Sequence, residues 1–458
     1  MFVGRTREVE TLQDEYDKNE SSFVVIYGRR RVGKTTLIKE FIKDKKSIYF
    51  LANEEIEKEN QKNLQQGLSE SLNIEYIKDV NFNNWEGLFK LIPDCTSNNN
   101  EKLIIIIDEF QYLCMVNKAF PSIFQRIWDE NLKNKNIMVI ICGSYMSMME
   151  ALTLSYNSPL YGRRTAQIKL APLTFEETKG FYNDLTLEEE ILRYSITGGV
   201  PKYIEIFKNY DNLFKSIEKN ILRKDSFLYE EPNFLLKNEV EKPMTYFSIL
   251  KCIAAGNHKM GNISSHLSIP SATTGKYLHT LRQLDIIERE VPVTEDNPEK
   301  SKKGLYYIKD NFIEFWFKFI FPYNTYLEMD KYQYVLNIIE RNLIDNHTAF
   351  VFEKVCSELL WNLKLPFELL KVGRWWDGND EIDVVGINSF ENSIIFGECK
   401  FWNKKIGMNI LISLKEKAKK VNYLKKDRKE YFILFSKLGF NEELIEAEKR
   451  GEVILYSL

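Results

Sequence analysis

A chain of 458 residues is too long for a single hydrophobic core, so about two to four domains are expected. Hydrophobic residues at 44% and charged residues at 28% match a soluble globular protein. The net charge of −3 excludes a global attraction to nucleic acid or to an anionic membrane, so any such binding must come from local patches.

The first ten residues, MFVGRTREVE, are charged from Arg5 onward and contain no apolar signal core. No apolar run approaches the ~18 residues of a membrane span. Cys95, Cys114, Cys142, Cys252, Cys356 and Cys399 are scattered without a CxxC pair, and none of the four histidines is near them in sequence. That spacing speaks against a zinc site and for reduced thiols in a cytoplasmic protein.

Residues 24–36, VVIYGRRRVGKTT, are the most informative stretch. Four apolar residues read as a buried strand, GRRRVGKT matches GxxxxGK[ST], and Leu37, Ile38, Phe41 and Ile42 share one face of a following helix. Strand, glycine loop and helix is the context in which that motif binds phosphate. Gly28 and Gly33 let the loop curl, so that main-chain amides of Arg29, Arg30, Arg31, Val32, Gly33, Lys34, Thr35 and Thr36 turn toward phosphate oxygens. The helix N-terminus adds partial positive charge there. Lys34 is expected at the β- and γ-phosphates, and the Thr35 hydroxyl on Mg²⁺.

The run Leu103–Glu109, LIIIIDE, suits a central strand buried on both faces and ends in acids. Asp108 is expected to hold Mg²⁺. Glu109 is expected to orient or deprotonate the attacking water, which argues for hydrolysis and not simple binding. A third apolar strand, Ile137–Cys142, ends in Gly143 and Ser144, either a γ-phosphate sensor or an ordinary turn. In PLYGRRT, Arg163 and Arg164 have no acidic partner close in sequence. They either stabilise charge on the transferring phosphate, in their own subunit or a neighbour's, or make surface salt bridges.

In order, FVGRTREVETL, the two nucleotide motifs, the strand ending in Gly-Ser, LYGRR and TGGVPKYIE resemble the archaeal-type prokaryotic P-loop ATPases, which are similar to AAA+ and STAND NTPases. The resemblance covers roughly the first half of the chain. It implies that Val3, Gly4 and Arg5 lie beside the adenine end. It also implies that Gly199 and Pro201 form a GxP element in a helical lid, with the proline near base or ribose. The choice of ATP over GTP rests on this resemblance.

Residues from about 239 to 310 give three short amphipathic segments and then a β-ribbon. Tyr246, Ile249, Leu250 and Ile253 form the first face; 262–267 and 271–284 form the next two helices; 286–293 and 305–308 form the strands. This reads as a winged helix-turn-helix. Ser271, Thr273, Lys276, His279 and Arg282 of its third helix either contact DNA or face a protein partner. The run FIEFWFKFIF, 312–321, reads as core.

Farther on, EIDVVGIN and IIFGECKFW read as two strands joined by a short turn. Alternation puts Glu398 and Lys400 on one face, where Asp383 of the neighbouring strand can meet them. Two carboxylates suit a hard divalent cation, and the lysine suits a reacting water or phosphate. Glu353 is a candidate third acid. The pattern resembles the PD-(D/E)xK nuclease superfamily, particularly the domain that follows archaeal-type ATPase modules, although Ile382 stands where that motif has proline. Lys400, Lys404, Lys405, Lys415, Lys417, Lys419, Lys420, Lys425, Lys426, Arg428 and Lys429 either track a nucleic-acid backbone or solvate a helix surface. Arg374, Trp375 and Trp376 either clamp substrate or are buried.

The expected architecture is multidomain α/β. It comprises an ATPase core with a parallel sheet (1–175), a helical lid (176–235), a winged helix (236–325), a helical connector (326–345) and a nuclease-like domain (346–458). The expected function is an ATP- and Mg²⁺-dependent, ATP-hydrolysing switch coupled to a DNA-binding winged helix and a nuclease-like domain, acting on nucleic acid. The rival is a signalling or chaperone-like ATPase whose C-terminal domain docks a protein. Neither involves a membrane, and both allow a homo-oligomer.

Overall fold

Strands β1 (Ser22–Tyr27), β2 (Ser47–Leu51), β3 (Leu103–Asp108), β4 (Ile137–Gly143) and β5 (Ala166–Lys169) form one parallel sheet in the order β2-β3-β4-β1-β5. The computed structural model describes residues 2–82, 84–94, 101–210 and 212–457. β1, β3 and β4 are buried along their whole length because helices cover both faces of the sheet. Alternation divides their side chains. Val24, Ile26, Ile104, Ile106, Met138 and Ile140 pack with Leu37, Ile38 and Phe41. Phe23, Val25, Ile105, Ile107, Val139 and Ile141 pack on the other face with Phe110, Phe120 and Phe124. Each fully buried side chain of this size contributes about 1.5–3 kcal/mol, which holds the strand ends in fixed register.

Residues Met1–Phe181, with Gly199–Lys202 and Lys237–Glu241, make one compact unit; Tyr182–Gly198, Tyr203–Leu236 and Lys242–Leu458 make a second. Within the second, helices Pro243–Ala254, Met260–Leu267 and Ser271–Gln283 precede an antiparallel ribbon of β6 (Ile287–Glu290) and β7 (Leu305–Ile308). Tyr246, Ile249, Leu250 and Ile253 are buried as the periodicity requires. The first ribbon strand is shorter than the apolar pattern suggests, because the Val293 amide leaves the ribbon and donates to the Arg374 carbonyl at 2.8 Å. The aromatic run is core: Phe312, Phe315 and Trp316 are at most 1% exposed.

The C-terminal part is a separate mixed sheet of β8 (Lys371–Asp377), β9 (Asp380–Asn388), β10 (Ser393–Lys400), β11 (Lys429–Ser436) and β12 (Ile454–Ser457). β8, β9 and β10 form an antiparallel meander, and β10, β11 and β12 are parallel. Helices Ala349–Leu360 and Met408–Ala418 pack on it. Cys95 lies outside the described residues; the other five cysteines are buried free thiols. Among the described residues no helix is long and apolar enough to cross a membrane.

Candidate functional site

The phosphate loop leaves the carboxyl end of β1, beside the ends of β3 and β4. A Cβ at position 28 would meet the Leu170 carbonyl at 2.3 Å, so only glycine fits there, and Gly33 enters the helix with φ +95°. Lys34 is 7% exposed, and its Nζ donates to the carbonyls of Gly28 (2.7 Å) and Arg29 (2.9 Å). Burial holds its pKa below the usual lysine value, in spite of Cys142, Glu109 and Asp108. The Thr35 hydroxyl donates to Asp108 Oδ2 at 3.0 Å, and the Tyr49 hydroxyl donates to the same oxygen at 2.5 Å. Burial and Asp108 push the Tyr49 phenol well up, so it stays a donor.

Glu109 sits in the left-handed region at φ 54°. Its Oε2 accepts from Ser144 Oγ (2.7 Å), Gln111 Nε2 (2.5 Å) and the Ser144 amide (3.3 Å). The structure thus joins Ser144 to Glu109, and Asp108 to Thr35. Arg30 donates to the hydroxyls of Tyr112 and Tyr145, both at 3.2 Å. Arg29 is buried, Arg31 has φ 73°, Val32 is 1% exposed, and Thr35 and Thr36 are exposed. Pro201 comes within 3.7 Å of where a Gly33 Cβ would stand. Arg5 braces the loop from behind, donating to the carbonyls of Val32 (2.9 Å) and Ala171 (2.7 Å). Its own amide donates to Glu177 at 3.2 Å, Gly4 has φ +66°, and Val3 packs on Gly180.

Arg163 and Arg164 require a correction. They precede β5, which runs parallel to β1, so they stand at the amino edge of the sheet and the phosphate loop stands at the carboxyl edge. Six residues of strand separate the two edges by about 20 Å. Neither arginine can reach a phosphate in its own subunit. Arg163 also has its acid after all: Asp129 accepts from Nε at 3.0 Å and from Nη2 at 2.8 Å. Arg164 donates to Gln167 at 2.8 Å.

In the second unit, Gly397 pairs with Val384, which sets Glu398 opposite Asp383 one step on. Both are buried, at 7% and 8% exposure. Lys400 Nζ lies 2.8 Å from Glu398 Oε1 and 3.6 Å from Asp383 Oδ2. The Cys399 amide donates to Asp383 Oδ2 at 2.9 Å. Oxygens of Glu353, Glu381 and Asp383 all lie within 4.8 Å of one another. Burial and the Asp383 charge push Glu353 up to about 8, and burial with Glu398 pushes Asp383 up to about 6. Lys400 is raised, since Asp383 and Glu398 outweigh its burial.

Three cations hold these acids. Lys417 Nζ is 3.0 Å from Glu398 Oε2. Arg374 pairs with Glu381, lies 3.2 Å from Glu290 of the ribbon, and lies 4.0 Å from Glu353. Arg374 is therefore a structural tie here, and Trp375 beside it is core at 4% exposure. The basic stretch is similarly engaged: Lys415, Lys417, Lys419, Lys420 and Arg428 pair with Glu452, Glu398, Glu416, Asp380 and Glu430.

Comparison with known proteins matches residues 2–207 to a family described as an ATPase domain predominantly from Archaea. Residues 316–421 match a family described as archaeal and bacterial proteins of unknown function. An uncharacterized protein of Methanocaldococcus jannaschii is 39% identical over 466 aligned residues, covering 100% of this chain and 99% of its own. The chain belongs to the archaeal P-loop ATPase family. An uncharacterized ATP-binding protein of the same organism is 50% identical over 46 residues, 10% of this chain and 78% of that one. Among solved structures, a Walker-type ATPase of Pyrococcus abyssi aligns with TM-score 0.52 and 20% identity, over 69% of this chain and 96% of that one, a likeness of fold.

Several residues of this family member escaped the sequence reading. Tyr49 and Gln111 carry no motif. Glu239, held near Arg29, Arg30 and Lys34, is pushed up to about 7 by burial. Glu381 had a signal, because it stands two positions before Asp383 and so shares its face. Lys417 had none beyond belonging to a basic helix.

Proposed function

We propose that this P-loop ATPase is a Mg²⁺-dependent switch whose second unit binds DNA and cleaves a phosphodiester bond. ATP binding and the P-loop ATPase domain rest on the family. The 3.0 Å approach of Thr35 to Asp108 fits the shared ligation of Mg²⁺, which would neutralise charge on the β- and γ-phosphates. For hydrolysis Glu109 must leave Ser144 and Gln111 to take a proton from the attacking water, so its present bonds correspond to a resting state.

The observation that carries the nuclease reading is the convergence of Asp383, Glu398 and Lys400, with Glu353 and Glu381 beside them. This oxygen-rich donor set suits Mg²⁺ or Mn²⁺, which would polarise a phosphate and activate water. Lys400, kept protonated by its two acids, would stabilise the charge that develops on phosphate. The residues 243–308 support a winged-helix reading, with Ser271, Thr273, Lys276 and His279 exposed on the third helix. In this reading the ribbon, tied through Arg374 to the acidic cluster, relays the state of the helices to the metal centre.

The test is incubation of the full chain with plasmid, single-stranded DNA and RNA, with Mg²⁺ or Mn²⁺, with and without ATP. Metal-dependent cleavage that Asp383→Ala abolishes supports the reading; intact substrate in every lane overturns it. The rival, a switch whose second unit docks a protein, is favoured by one observation: Arg374 already occupies two of the acids. Arg163 and Arg164, if catalytic, would serve a neighbouring copy.

A further inference from the structure

Beyond the acidic cluster the chain exposes an aromatic surface that metal chemistry does not use. Trp402 follows Lys400 by two positions and is 36% exposed. Its neighbour Phe401 is 2% exposed and packs on Phe352 with ring centroids 5.2 Å apart, which anchors the backbone and turns the indole outward. Lys400 Nζ lies 5.7 Å from the indole centroid, and Lys404 Nζ lies 4.8 Å from it. The indole borders a cavity of about 510 Å³ whose wall includes Arg341, Asn403 and Lys404, with Glu340 and Asp345.

We infer that Trp402 and this cavity form a stacking subsite for an unpaired nucleobase, on the strand whose phosphate reaches Lys400. The inference rests on the phosphodiesterase reading of Asp383, Glu398 and Lys400. The two ammonium groups lie over the indole ring, so its electron-rich face now attracts cations, and a base stacking there would displace them toward its own phosphates. A nucleotide offers the matching pair, a flat ring and an anionic phosphate. Adjacent nucleotides in a stacked strand rise by ~3.4 Å, so the lysine and the indole are near enough to hold one nucleotide or two neighbours. Arg341 and Lys404 suit the next phosphate, and the carboxylates and Asn403 suit base edges. A base inside a duplex is covered on both sides and cannot offer its face to the indole. The substrate class is therefore a single strand, an overhang or an everted base.

The experiment is fluorescence anisotropy of the full chain with short fluorescein-labelled oligonucleotides in EDTA, as single-stranded DNA, single-stranded RNA and blunt duplex. Trp402→Ala is expected to weaken single-strand binding roughly ten-fold and Trp402→Tyr much less, since stacking on any aromatic ring retains most of the contact. Duplex binding should not respond. ATP hydrolysis, which does not involve Trp402, should be unchanged, and the unchanged duplex binding together with an unchanged circular dichroism melt reports that the second unit folds. Single-strand affinity of Trp402→Ala within about two-fold of wild type overturns the subsite, as does absence of any oligonucleotide binding by the wild type. A Trp402-dependent affinity without cleavage in Mg²⁺ or Mn²⁺ keeps the subsite and removes the phosphodiesterase reading. Cleavage with no Trp402 dependence does the reverse.

Discussion

Lys34 is buried and Lys400 half-buried, and both have acids near them, yet burial lowers the pKa of the first and Asp383 and Glu398 raise that of the second. The difference lies in what their nitrogens touch. Lys34 donates to the carbonyls of Gly28 and Arg29, and Asp108 is held by Thr35 and Tyr49. Lys400 rests on Glu398, which Lys417 also grips. Among the described residues no acid contacts the Lys34 ammonium, which leaves the phosphate loop a cation suited to a polyanion. The acidic cluster has its counter-charges built in, and a divalent cation proposed there would have to compete with them.

The largest test of that contrast is Lys34→Ala. Loss of a buried, charge-assisted contact to phosphate should weaken ATP at least about 100-fold by calorimetry, with the fold intact by circular dichroism. Glu109→Gln should leave ATP affinity near normal and lower kcat by about 10²–10⁴-fold, since only proton transfer is lost. Normal turnover in that variant would remove Glu109 from its assigned role. In the acidic cluster, Asp383→Ala or Lys400→Ala should bring any metal-dependent cleavage below roughly a hundredth while ATP hydrolysis continues.

Smaller effects sharpen the comparison. Arg374→Gln should cost about 1–3 kcal/mol in urea unfolding, because Glu290, Glu353 and Glu381 lose their shared cation. The same variant should bind Mn²⁺ more tightly; unchanged Mn²⁺ affinity would show that Arg374 does not compete with metal. The smallest effect concerns Glu239, pushed up to about 7 by burial against the pull of Arg29, Arg30 and Lys34. A bound triphosphate disfavours its ionised form further, so binding takes up a proton. ATP affinity should then fall a few-fold as pH rises from about 7 to about 8.5, and Glu239→Gln should flatten that slope.

The phosphate loop was legible because its chemistry is local. GRRRVGKT makes its own curl, and the apolar runs of β1, β3 and β4 could only be buried parallel strands whose acids and serine end at one edge. Arg163 was not legible, since its partner Asp129 lies 34 residues away and the direction of β5 decides which edge it occupies. The partners of the basic stretch were hidden for the same reason: its surplus exists along the chain, whereas Glu398, Asp380 and Glu452 reach Lys417, Lys420 and Lys415 through space. Glu381 could have been found from strand alternation; Tyr49, Gln111 and Glu239 could not.

By itself the sequence determined an ATPase parallel sheet, the placement of Lys34, Thr35, Asp108 and Glu109 at one edge of it, and the meeting of Asp383 with Glu398 and Lys400. Those follow from short-range geometry: the period of a strand, the curl of a glycine loop and the burial of apolar runs. Only the tertiary structure decided that Glu109 rests on Ser144 and Gln111, that Arg163 faces away from the phosphate loop, and that Arg374 and Lys417 neutralise the acidic cluster. Electrostatic pairing acts through space over a few ångströms, and which charges come that close depends on how distant segments pack.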